Sequence, residues 1–257
     1  MLSSSIPVRH LFGIPIRAAT MEATLDLVEG SVARRSRLRI GVVNAAKIVN
    51  MRRDRALCED VVTSDVVLAD GMSVVWAARL LGQPLPERVA GIDLMMGVLE
   101  RGHRLGWRVY CLGAAPAVLE AVVAEIGRRY PGIVIAGHRH GYFEPHEEPR
   151  LAEEIAASGA DVLLVAMTSP KKERFMGAWG DRLAVPVCHG VGGSFDVLAG
   201  KVKRAPRLWQ RLGLEWLYRV LQEPGRLWKR YLLTNALFCD LVLTELLRGL
   251  PGRWRRR

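Results

Sequence analysis

Between residues 38 and 188 the chain repeats one pattern: a short, almost wholly apolar run, a turn, then a stretch with helical periodicity. The runs are LRIGVV (38–43), DVVL (65–68), WRVYCL (107–112), residues 133–136, DVLLVA (161–166) and VPVC (185–188). Runs this short and this apolar read as strands buried on both faces. Helical patterns lie between them, one from Ala45 onward and others over 72–81, 91–104, 115–130 and 147–157. Such an alternation builds a mainly parallel sheet with helices on both faces. The expected fold class is α/β, Rossmann-like. The first 35 or so residues are mixed, with one short helix around 20–33, and neither an internal repeat nor a low-complexity segment is present.

After Gly200 the strand pattern stops and consecutive helices take over, with Pro206 and Pro224 placed to open two of them. The charge changes at the same point. Residues 201–257 hold 14 Lys or Arg against 4 Asp or Glu, whereas residues 1–200 hold 23 against 22. The net charge of +11 therefore lies almost entirely in the last fifth of the chain. The division expected is a catalytic core over 1–200 and a basic helical appendage over 201–257. Trp209, Trp216 and Trp228 alternate with arginines there, which fits helices lying in a membrane interface with cations on anionic lipid. The last apolar stretch, 231–247, is short for a span and carries Asp240 and Glu245. Its unpaired apolar face also fits self-association into a homo-oligomer. Four scattered cysteines without a CxxC pair read as reduced, mostly buried thiols of a cytosolic protein, and the N-terminus lacks the pattern of a signal peptide.

In open parallel sheets ligands bind beyond the carboxyl ends of the strands. That rule marks Asn44, Asp70, Gly113, 138–142, 168–172 and 190–196. Asp70 either caps the following helix or serves as a general base facing the cleft. Gly113, in LGAAPAVLE, is either a plain strand-to-helix turn or a phosphate cradle. His138, His140 and His146 read as one loop, and no carboxylate or cysteine completes a zinc set, so no metal is expected. Tyr142 offers a ring that can pack on a base or a sugar. In SPKKERF, Lys171 and Lys172 sit at a helix start, where the dipole repels them unless an anion offsets it. GVGGSFD reads as a flexible loop in which Gly192 permits close backbone approach and Asp196 can accept from a ribose or uracil.

These segments together resemble the WecG/TagA/CpsF family of glycosyltransferases, from about residue 39 to 247. The likeness rests on VNAAKIVN, LADGMSVVW, RVAGID, YCLGAAP, HGYF, SPKKE, GVGGSFDVLAGKVKRAP and LEWLYRVLQEPGR. It implies an inverting, metal-independent transfer without a cofactor. The donor implied is a UDP-sugar such as UDP-N-acetylmannosamine, and the acceptor a sugar on a polyprenyl diphosphate, in cell-surface polysaccharide synthesis. Asp70 would be the general base, with Arg88 in the site and Asn44, Tyr142 and Asp196 in the donor pocket. Arg219 and Arg226, with Lys229 or Arg230, would reach the site from the appendage. The implied location is the cytoplasmic face of the membrane, held peripherally. Two positions depart from the pattern: Val42 stands where many members have Thr, and Lys172 where many have the Gln of PKQE. The second bears on which donor sugar is recognised.

Two other classes share parts of the pattern. A nicotinamide-dependent oxidoreductase wants GxGxxG and a later acidic residue, and neither is present. A nucleic-acid-binding protein would account for the basic end but not for the glycine loops at strand ends, so nucleic acid is not an expected partner. A glycosyltransferase of the same fold with a different UDP-sugar donor stays open.

Overall fold

The computed structural model describes residues 6–249 and, within them, leaves aside the side chains of Arg211, Arg226, Leu227 and Arg230. The chain begins with a hairpin, β1 (Val8–Leu11) and β2 (Ile14–Arg17), which the sequence pattern does not announce. Its two-residue turn puts Phe12 and Gly13 both at positive φ, the conformation that matches the strand twist. Helix α1 (Met21–Arg34) follows, with the Thr20 hydroxyl accepting from the Ala23 amide at 3.1 Å.

From there the alternation unfolds as the apolar runs require. The elements are β3 (Leu38–Val43), α2 (Ala45–Met51), α3 (Arg55–Val62), β4 (Val66–Ala69), α4 (Met72–Leu80), α5 (Gly91–Leu105) and β5 (Arg108–Gly113). They continue with α6 (Pro116–Arg129), β6 (Val134–Arg139), α7 (Glu148–Ala157), β7 (Val162–Ala166), α8 (Lys171–Trp179) and β8 (Val187–Gly190). The single helical stretch read after Ala45 is two helices, because Asp54 caps a new one by accepting from the Leu57 amide at 2.9 Å. His138 lies in β6, not in a loop.

The strands form one six-stranded sheet in the order β4-β3-β8-β7-β5-β6, with every neighbouring pair parallel. Successive residues feed opposite faces, as the period-two geometry of a strand demands. Val66 and Leu68, Val109 and Cys111, and Val162 and Leu164 face a core shared with α1, α5 and α6. Val67 and Ala69 face a second core with the hairpin, α2 and α4, while Tyr110, Leu112, Leu163 and Val165 face a third with α7 and α8. Burying a Leu or Val side chain of this kind contributes roughly 1.5–3 kcal/mol, so the sheet is the rigid part of the molecule.

The glycine loop after β8 closes into a short helix, α9 (Ser194–Leu198), with Phe195 fully buried under it. Beyond it come α10 (Arg207–Arg211), α11 (Glu215–Gln222) and α12 (Pro224–Gly249), with no further strand among the described residues. Pro206 caps α10 and Pro224 opens α12. The distal half of α12 returns to the core: Phe238 and Val242 are buried beside α2 and the hairpin, with the Phe238 ring edge-on to Phe12 at 5.7 Å. Its proximal half and α10–α11 expose Leu208, Leu212, Leu221, Trp228 and Leu232. Among the described residues no helix is long and apolar enough to cross a membrane. Cys111 and Cys188 are buried, and burial pushes both thiols up to about 12; Cys58 is half-buried and Cys239 exposed.

Candidate active site

Asp70 is the first residue past β4, and its amide still donates to Val43 O at 2.8 Å, so the β3 and β4 ends fix its backbone. Its side chain does not cap α4, whose cap Gly71 makes no side-chain bond. It turns instead to α5, where Oδ1 accepts from the Gly91 amide at 2.8 Å. The amide group of Asn44 approaches Oδ2 at 3.4 Å, while Asn44 Oδ1 caps α2 by accepting from Lys47 at 3.0 Å. One carboxylate oxygen is thus bound to the first amide of a helix. The other has this single long contact, on a residue that is half-buried.

Behind Gly91 lies His189, fully buried on β8 and marked by nothing in the sequence pattern. Its Nε2 is 3.0 Å from Gly91 O. A carbonyl only accepts, so Nε2 carries the hydrogen. Nδ1 is buried with no partner, and burial holds the ring down at about 4, neutral at ordinary pH.

Above the β4 end, Val89 donates to Ala69 O at 2.9 Å and so fixes the loop that carries Arg88. Arg88 is tied to Glu215, the first residue of α11, and lies 3.7 Å from Asp93. Arg204 closes the arrangement with two 2.7 Å contacts to Asp93 and one of 3.9 Å to Glu215. Two cations and two carboxylates thereby join α5, the segment before α10 and the start of α11. Asp70 is near enough to add to the electrostatic stabilisation of the Arg204 cation. Nothing in the sequence separates Arg204 from the basic residues around it in KVKRAPR.

Farther along the crevice, Gly113 ends β5 at φ +119, and a Cβ there would lie 2.4 Å from Ala166 O, so only glycine fits. The Gly141 amide donates to Ala114 O at 2.9 Å, seating the loop that carries Tyr142 beside that turn. Tyr142 is 72% exposed, its ring tilted against His140 at 6.4 Å. Gly192 takes φ +54 in the turn after β8, and Asp196, in the first turn of α9, lies 3.6 Å from Lys201.

The anion that the lysines of α8 require comes from the chain itself. Lys172 and Lys47 each approach Glu173 Oε1 at 2.7 Å, and all three side chains are buried. Burial and the Lys47 charge lower the Lys172 amine to about 8. For Glu173, burial pushes the carboxyl up, but the two lysines outweigh it and hold it at about 2. Lys171 turns away, donating to Gly141 O and Phe143 O at 3.1 and 3.2 Å.

Arg219 is exposed on α11, one turn beyond Glu215, and Lys229 is exposed on α12 with its amine 5.5 Å over the Trp228 ring. The side chains of Arg226 and Arg230 lie outside the described residues. Among the described residues no group of three His, Cys, Asp or Glu is arranged to hold a metal ion.

The family model for the Glycosyl transferase WecG/TagA/CpsF family matches residues 9–251. An N-acetylglucosaminyldiphosphoundecaprenol N-acetyl-beta-D-mannosaminyltransferase of Bacillus spizizenii is 41% identical over 170 residues. That match takes in 66% of this chain and 65% of the relative's length, just under two thirds of the curated protein.

Proposed function

Because the chain belongs to the WecG/TagA/CpsF glycosyltransferase family, we propose that it moves an N-acetylmannosamine-type sugar from a UDP donor to a sugar on a polyprenyl diphosphate. The relative's printed activity supports the transferred sugar and the lipid-diphosphate-linked acceptor of this reading. The observation that carries it is the half-buried Asp70 carboxylate at the end of β4, held by Gly91 on one oxygen and by only a long Asn44 contact on the other.

In the proposed reaction Asp70 Oδ2 takes the proton of the acceptor hydroxyl. The hydroxyl oxygen forms a bond to the anomeric carbon from the face opposite the diphosphate. The bond from that carbon to the phosphate oxygen breaks, UDP leaves with the electron pair, and the configuration inverts. Charge grows on the diphosphate as it departs, and arginines can meet it through paired contacts. Arg88 at the crevice and Arg219, with Arg226, from the helical segment would do so, in place of a metal. Asn44, Gly113, Tyr142, Gly192 and Asp196 border the same strand ends and would hold the nucleotide and sugar.

Residues 201–257 would act as a lid and as a peripheral contact with the cytoplasmic membrane face, where the lipid-linked acceptor lies. Exposed Leu208, Leu212, Trp228 and Leu232 support an interfacial position. A different UDP-sugar donor is a second reading, favoured by Lys172, whose ammonium is engaged with Glu173. A panel of UDP-sugars tests both readings through acceptor-dependent UDP release. UDP-N-acetylmannosamine should give the fastest release with a polyprenyl-diphosphate-linked acceptor. A faster alternative sugar would establish the second reading, and no release with any sugar would refute both.

A further inference from the structure

The proposed reaction needs Asp70 in place, yet Asp70 is held mainly through the backbone of another element. Its Oδ1 bond runs to Gly91, the first residue of α5, whose own cap residue Ala90 offers no side-chain bond. Beside the backbone bonds that hold its neighbours, the Gly91 carbonyl has one side-chain contact of its own, from His189. The imidazole is wholly buried, and its Nε2–H donates to Gly91 O at 3.0 Å. A Cβ built on Gly91 would lie 3.8 Å from His189 Cε1 and 3.9 Å from Asp70 Oδ1, so ring and carboxylate flank the same Cα. We infer that His189 is a positioning residue: by holding the Gly91 carbonyl it sets the amide that aims the Asp70 carboxylate, without itself touching substrate.

The physical case rests on what this histidine does not do. Nδ1 has no partner and the ring stays neutral, so it is neither half of an ion pair nor a fully satisfied core group. An apolar residue would fill the volume without leaving a buried nitrogen unpaired, which is costly. The one polar contact the ring makes is the one behind the carboxylate. Misplacing a reacting group by about 1 Å can cost on the order of 100-fold in rate, which a weak hold on α5 would permit.

This inference rests on the base assignment above, so Asp70→Asn is run alongside. His189→Phe removes the donor, and His189→Gln keeps an N–H able to reach the carbonyl. The expected result is a kcat about 10- to 100-fold lower in His189→Phe, with the donor KM and UDP affinity within about two-fold of wild type. His189→Gln should recover most of the lost kcat. If His189→Phe does not fold, His189→Asn, whose amide is too short to reach, replaces it. Equal kcat in the non-donating variant and wild type overturns the positioning role while Asp70→Asn is inactive. Equal loss in the Gln and non-donating variants does the same, because it marks a packing effect. An active Asp70→Asn removes the base assignment and this inference with it.

Discussion

The strand-end crevice and the C-terminal helices present their functional groups in opposite ways. In the crevice, Asp70 and Asn44 are fixed by backbone bonds from neighbouring strands and helices. In the helices, Arg219 and Lys229 stand exposed, and the segment meets the crevice through the ring of Arg88, Asp93, Arg204 and Glu215. A proton acceptor must be placed to a fraction of an ångström. A cation that meets a diphosphate works over a longer range and tolerates movement. Rigid sheet and ion-paired helix thus suit the two halves of the proposed reaction, and substitutions in each should fail differently.

The largest expected effect is in the rigid half. Asp70→Asn should lower turnover by about 100- to 10,000-fold, the range for a lost general base, as read by acceptor-dependent UDP release. Arg219→Ala should lower kcat/KM by about 10- to 100-fold, as loss of one charge-assisted contact of about 1.5–3 kcal/mol predicts. An unaffected kcat/KM would break the contrast by leaving the helices without a part in transfer. Glu215→Gln removes one carboxylate from the ring and should cost about ten-fold in turnover by loosening α11. That loss should shrink as salt rises, because screening weakens in the wild type the same ion pairs that the variant lacks; a salt-independent difference would contradict it.

The smallest effect is on stability and lies in the core. His189 is held at about 4 by burial against an ordinary 6.5. Between those values the unfolded chain binds a proton that the folded chain does not, so stability falls as pH drops from 6.5 toward 4. The full difference is on the order of 3 kcal/mol at most. Thermal unfolding of wild type should lose more on going from pH 7 to pH 4 than His189→Gln does, and equal losses would contradict the assignment.

The same contrast explains what the sequence could disclose. Asp70, Asn44 and Gly113 were legible because each ends an apolar run, and the fold rule places ligands there. His189 was not, since a single histidine after VPVC looks like any core residue and its meaning depends on α5 lying above it. Arg204 was hidden among basic residues, and only the folded chain pairs it with Asp93. The hairpin escaped because its turn is Phe12-Gly13, not the Asn-Gly or Asp-Gly that signals such a turn. The repulsive placement of Lys172 was visible, but its remedy, Glu173 shared with Lys47 from α2, joins residues 126 positions apart.

The division of labour is tested most directly by titrating UDP into Asp70→Asn and into Arg219→Ala by calorimetry. The account predicts UDP affinity within about two-fold of wild type for the first, and about ten-fold or more weaker for the second. Weakened binding in Asp70→Asn together with unchanged binding in Arg219→Ala would contradict it.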